Sequence, residues 1–163
     1  VAGKWLAATA MAGSGVLLTI AGSLAVLPFA PLADLGLTST PGARDGLLLA
    51  AVALPLAALA SAAHLLIATF ARSVKEAQAT LSVLLLLPMA PGVYGVLYPA
   101  AMSPSFAWVP VLGQQALLTS VLSGDIPAAT PFALAAASAL LLTTLLLALT
   151  ARLLRRERIV FGG

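Results

Sequence analysis

The chain has 163 residues, of which 61% are hydrophobic and only 8% charged, against about 25% charged in an ordinary soluble domain. Eight Lys and Arg stand against five Asp and Glu, too few cations to coat a phosphate backbone. These figures exclude an ordinary water-soluble enzyme, a disordered chain and a nucleic-acid-binding domain. Cysteine is absent, which removes disulfides, thiolate nucleophiles and Cys-ligated metals. The expected class is all-α, a polytopic transmembrane helical bundle. The sequence opens at Val1 without the basic segment, short apolar core and small-residue cleavage site of a secretory leader. It is expected to be an internal or C-terminal piece of a larger membrane protein.

A spanning helix needs about 20 mostly apolar residues, and four stretches qualify. The first runs over 5–27, from Trp5 to Leu27, without a charge. It contains Ala12-Gly13-Ser14-Gly15, small residues of the kind that close helix packing in lipid requires. Ser14 also resembles the serine of an intramembrane protease, with His64 as its base, but the first glycine of that pattern is replaced by Ala12. The connection from Pro28 to Asp45 is rich in Pro and Gly, which stop helices.

The second span covers 47–70 and carries His64, the only ionisable side chain within a span. It is read either as a pathway-lining residue or as a neutral imidazole hydrogen-bonded to Ser61 or a neighbouring helix. Residues 71–78, Ala-Arg-Ser-Val-Lys-Glu-Ala-Gln, form a short charged connection. Arg72 and Glu76 stand at i, i+4 and can pair if that segment is helical. The third span, 79–98, contains Pro88 and Pro91, expected to break it near its centre and free carbonyls along a route for substrate. The connection from Pro99 to Pro131 is long and not plainly polar. Its apolar piece, 111–122, is too short to span and reads as a re-entrant or interfacial helix. The fourth span, 132–151, is mostly Leu and Ala, with Thr143 and Thr144 near its middle.

Charge bias sets the expected orientation. With both ends of the chain in the cytoplasm, the inner side holds Lys4, Arg72, Lys75, Arg152, Arg155, Arg156 and Arg158, and the outer side only Arg44. Seven bases against one satisfies the positive-inside rule. A multi-pass protein of the plasma or inner membrane follows. Trp5, Tyr94, Tyr98 and Trp108 fall near span ends, where interfacial aromatics belong.

No span carries Asp or Glu, the usual midplane partner of a coupling cation. No GxxxxGK[ST] string is present either, so ATP is not bound through a Walker loop. If the protein drives transport, the energy enters from a partner.

Several strings carry a resemblance. Ala71 to Gln78, followed by Leu87-Pro88-Met89-Ala90-Pro91-Gly92, resembles the permease subunit of NatB-like, sodium-exporting ABC transporters. Trp108-Val109-Pro110-Val111-Leu112 with Gln114, the turn Ser123-Gly124-Asp125, and the basic end Arg155-Arg156-Glu157-Arg158 are similar to that family too. Gly113 departs from it, standing where a polar residue, often Asn, is usual. The resemblance runs from about Lys4 to the end. It implies the last four spans of a six-span type-2 ABC permease half, with 111–122 as a re-entrant cap over the pathway.

It also implies a second permease copy or homologue, and separate ATPase subunits that hold ATP and Mg while this chain binds no cofactor and no metal. Arg72, Lys75, Glu76 and Gln78 would be the ATPase-coupling contacts. His64, Pro88, Pro91, Thr143 and Thr144 are the candidate pathway-lining residues. Sodium would take hydroxyls, amides and carbonyls as ligands, and Thr69, Gln78, Thr80 and Ser82 add to the available set. No catalytic residue is expected. The alternative from another class is a non-transporting membrane anchor or scaffold whose charged connection recruits a cytoplasmic protein.

Overall fold

The computed structural model describes residues 1–29, 41–71, 73–86, 89–98 and 106–161. Among them all regular structure is helical: α1 (Ala2–Val26) with a following 3-10 turn (Leu27–Phe29), α2 (Ala43–Ala68), α3 (Val74–Leu86), α4 (Met89–Leu97), α5 (Leu112–Leu122) and α6 (Ala129–Phe161). Three helices are long and apolar enough to cross a membrane: α1, α2 and the Ala129–Arg155 part of α6. At ~1.5 Å per residue each exceeds the ~30 Å thickness of a hydrocarbon core.

α1 and α2 form an antiparallel hairpin. The less exposed residues of α1 are Trp5, Thr9, Gly13, Val16, Ile20 and Leu24, spaced by three and four residues, so they make one stripe along the helix. The indole N–H of Trp5 donates to the Ala58 carbonyl at 3.1 Å. A Cβ placed on Gly13 would stand 3.3 Å from Leu54, and one on Gly46 would meet Leu24. As the α1 partner rises from residue 5 to 24, the α2 partner falls from 58 to 46. The rest of α1 is exposed, as expected of a surface that faces lipid.

α2 is the central helix. It packs most extensively against α6 and α1, and its N-terminal half also touches α5. Its buried residues are mainly small: Gly46, Ala57, Ala58, Ser61 and Ala62, with Val52 and Leu59. In lipid the apolar solvent gives helices no hydrophobic reason to associate, so close backbone approach over small residues supplies the contact. α6 answers with Ala135, Ala139, Thr143 and Thr150, all buried and on one stripe. Val52, Ala107, Leu117 and Ala135 form one buried cluster. α6 therefore sets out beside the N-terminal half of α2. Its extended packing from there, with Thr143 and Thr150 buried further on, requires the two helices to run in the same direction.

Several helix boundaries differ from the sequence-based expectation; α2 starts at Ala43 and α6 at Ala129, each before its apolar run. α1 begins at Ala2 rather than Trp5, because the Lys4 side chain is long enough to carry its charge out to the membrane surface. α3 begins at Val74, not at residue 79. The hydroxyl of Ser73 accepts the Glu76 backbone N–H at 3.2 Å, the cap of an S-x-x-E start. α6 continues to Phe161, ten residues past 151, since Arg, Leu and Glu favour helix whether or not lipid surrounds them. The expected third span is described in two helical pieces, α3 of 13 residues and α4 of 9, about 20 and 14 Å long. Neither alone reaches across a bilayer. Leu87 and Pro88 lie outside the described residues. Pro91 falls in the first turn of α4, where its missing N–H breaks no intrahelical bond.

Candidate functional site: a capped basic turn and a short buried helix

The directions of the helices sort the charges. Lys4 opens α1, Lys75 lies in the first turn of α3 just past the end of α2, and Arg152 and Arg155 close the membrane-length part of α6. Antiparallel α1 and co-directional α6 bring all four to one end of the bundle. Arg44, Asp45 and Asp125 lie at the other end, where the Asp45 carboxylate accepts the Gly42 N–H at 2.7 Å and caps α2.

Of the predicted coupling residues, Arg72 lies outside the described residues. Lys75, Glu76 and Gln78 stand on the opening turns of α3, exposed. They are helical rather than part of a loop, because the Ser73 cap starts the helix early. Thr80 and Ser82 follow on α3 and donate their hydroxyls to the carbonyls of Glu76 and Gln78, at 2.9 Å each. Ser73 is the functional residue that the sequence reading passed over; the Ser-x-x-Glu spacing 73–76 was the signal that would have found it.

At the opposite end, α5 matches the short apolar helix expected at 111–122. Its start is held by an arrangement that uses one residue twice. The side chain of Gln114, fully buried, accepts the Val111 N–H through Oε1. Its Nε2 donates to the Ala135 carbonyl of α6 at 2.9 Å. One side chain thus caps α5 and ties it to α6. Val111 holds φ +72°, a region costly for a β-branched residue, and the cap keeps it there. Gly113 passes so close to the preceding turn that a Cβ would lie 2.5 Å from the Ala107 carbonyl oxygen and 2.6 Å from its Cα. A polar side chain could not occupy this position, which gives a steric reason for glycine where the resembling family usually has a larger residue.

Of the predicted pathway residues, Pro88 lies outside the described residues, and the threonines bond to their own helices. Thr143 is buried on the α2-facing stripe and donates to the Ala139 carbonyl at 2.8 Å. Thr144 is exposed and donates to Leu141 at 2.7 Å. Thr69 ends α2 and donates to Leu66 at 2.6 Å. Each hydroxyl is thus committed to its own helix backbone. His64 is half-buried in α2. Among the described residues no hydrogen bond joins it to Ser61, whose hydroxyl donates to the Ala57 carbonyl at 2.8 Å. Ser14 is exposed and donates to Met11 at 2.8 Å. Its neighbour Gly13 touches α2 at Leu54, ten residues and roughly 15 Å along the helix from His64. No serine–histidine pair is assembled.

Trp5 also differs from expectation. Its N–H is satisfied by the Ala58 carbonyl rather than by the membrane surface. Tyr94 and Tyr98, exposed at the end of α4 with ring centroids 5.2 Å apart, and the exposed Trp108 keep the surface positions of interfacial aromatics. A groove of about 550 Å³ opens between α1, α2 and α5, walled by Val16, Ile20, Leu49, Ala53 and Leu118. None of the predicted pathway residues lines it.

The apolar helices and the sorted charges define the chain as a helical membrane protein. No protein family, curated protein or solved structure matches it.

Proposed function

We propose that the chain is the membrane-spanning part of an ATP-driven exporter of the type-2 ABC class, with sodium as the cargo that the sequence resemblance favours. ATP and Mg are bound by a separate ATPase subunit. A second permease copy or homologue completes the membrane unit. The observation that carries the reading is the capped basic turn at 73–78, at the same end of the bundle as Lys4, Arg152 and Arg155. In this reading that end is cytoplasmic, and both ends of the chain lie there. Lys75, Glu76 and Gln78, with Arg72 before them, offer a charged surface on a helix start that a docked ATPase can push.

A fourth crossing belongs to the same reading. α2 and α6 run in the same direction, which supports one return across the membrane by the chain between them. Val74 to Leu97 is 24 residues, about 36 Å if helical throughout, which suits a crossing made of α3 and α4 in series. α5 then enters from the outer side and turns back, packed against α2 and α6. ATPase closure would move the α3 start, and α3 and α4 would pass that movement to α5, which α4 touches.

The reading is tested by reversing Arg72→Glu, Lys75→Glu and Glu76→Lys together in vesicles that hold the chain with the ATPase encoded beside it. ATP hydrolysis should persist while sodium efflux falls at least tenfold, with assembly intact. Full coupling in the triple variant would reject the assignment of this turn. If no ATPase gene adjoins this one, the exporter reading loses its main support.

A further inference from the structure

We infer that the basic end of α6 is a binding site for the headgroup of an anionic phospholipid. This rests on the membrane character of the chain and not on its coupling to an ATPase. Arg152 and Arg155 stand at i, i+3 on α6, with Leu149 one turn before Arg152 on the same face and Leu153 beside it. Together the four line a cavity of about 480 Å³. Both arginines are exposed, and neither forms an ion pair among the described side chains, which end at Arg155. They follow directly on the apolar run that ends at Ala151, which is the depth of lipid phosphates.

A helix-terminus role does not explain them. α6 continues to Phe161, so Arg152 is more than two turns from the C-terminal carbonyls that would attract a cation, and such effects fade within the last turn. Two guanidinium forks on one face match the geometry of a phosphate diester, which each can bind through two N–H groups. Leu149 lies one turn deeper, where the first carbons of an acyl chain would run. The ligand class is therefore a glycerophospholipid whose headgroup carries net negative charge. A zwitterionic lipid presents the same phosphate, but its ammonium group opposes the arginines.

The test is a titration of the whole chain, purified in an uncharged detergent, with phosphatidylglycerol, phosphatidylcholine or inorganic phosphate, read by native mass spectrometry. Phosphatidylglycerol adducts should form at lower concentration than phosphatidylcholine adducts. The paired change Arg152→Gln with Arg155→Gln should raise the half-saturation concentration roughly 30-fold, the product of two basic contacts at a charged surface. Arg152→Lys with Arg155→Lys, which keeps the charge without the fork, should fall between, and serves if the Gln pair folds poorly. Arg44→Gln, at the other end of the bundle, should change nothing. Equal binding of both lipids, wild-type binding by the Gln pair, or displacement of the lipid by equimolar inorganic phosphate would each overturn the inference.

Discussion

Gly113 and Gly46 look alike in the sequence, each a small residue among apolar ones, yet a methyl group meets different things at the two positions. At Gly113 it meets the backbone of Ala107, which cannot move without unmaking the turn that leads into α5. At Gly46 it meets the end of the Leu24 side chain, at 2.5 Å, which can swing to another rotamer. Gly113→Ala should therefore cost about 1–3 kcal/mol, the range for overpacking at a site that cannot relax. Gly46→Ala should be near neutral, its helix-propensity gain offsetting the displaced leucine. Thermal melting of the two variants in detergent decides it: equal shifts would mean that the turn before α5 is not packed as described. This difference was not legible in the sequence, because the clash depends on the chain folding back over 107–113. Gln114 was legible only as a polar interruption of an apolar stretch. Its double use, capping α5 and reaching α6, needs the position of Ala135, 21 residues on.

At the scale of elements, length and apolarity located α1, α2 and α6, since nothing but helix satisfies a backbone in lipid. The short helix at 112–122 was legible for the same reason: it is apolar, yet too short to cross. Helix ends were misjudged where hydropathy was taken as the boundary. α3 and α6 both extend beyond the apolar run, one started by a cap and the other carried on by good helix formers. The cap makes a prediction. Ser73→Ala removes the acceptor for the Glu76 N–H, a change that typically costs about 0.5–2 kcal/mol. Hydrogen exchange of the Lys75–Ala77 amides should quicken roughly fivefold, about 1 kcal/mol of local stability, while the melting temperature of the whole bundle hardly moves. Unchanged exchange would show that the α3 start is held by something other than this serine. The third span was the hardest element to read. Pro88 and Pro91 were expected to break it near its centre; Pro88 lies outside the described residues, and Pro91 falls in the first turn of α4.

For the whole molecule, packing says which helix ends share a side, and the Lys and Arg counts add the expectation that this side is the cytoplasmic one. Lys4, Lys75, Arg152 and Arg155 gather at one end because α1 opposes α2 and α6 follows it, a relation that no residue count contains. What the sequence could not supply is which helix stands at the centre. All the spans are similarly apolar, and only the run of small residues from Ala57 to Ala62, buried on more than one side, sets α2 apart. The absence of cysteine makes the membrane crossing directly measurable. Single cysteines in place of Ser73 and of Ser123 should react with a membrane-impermeant maleimide from opposite sides: Ser123→Cys in intact cells, Ser73→Cys only after the membrane is opened. Labelling of both from the same side would mean that the chain between α2 and α6 does not cross, and would contradict the account.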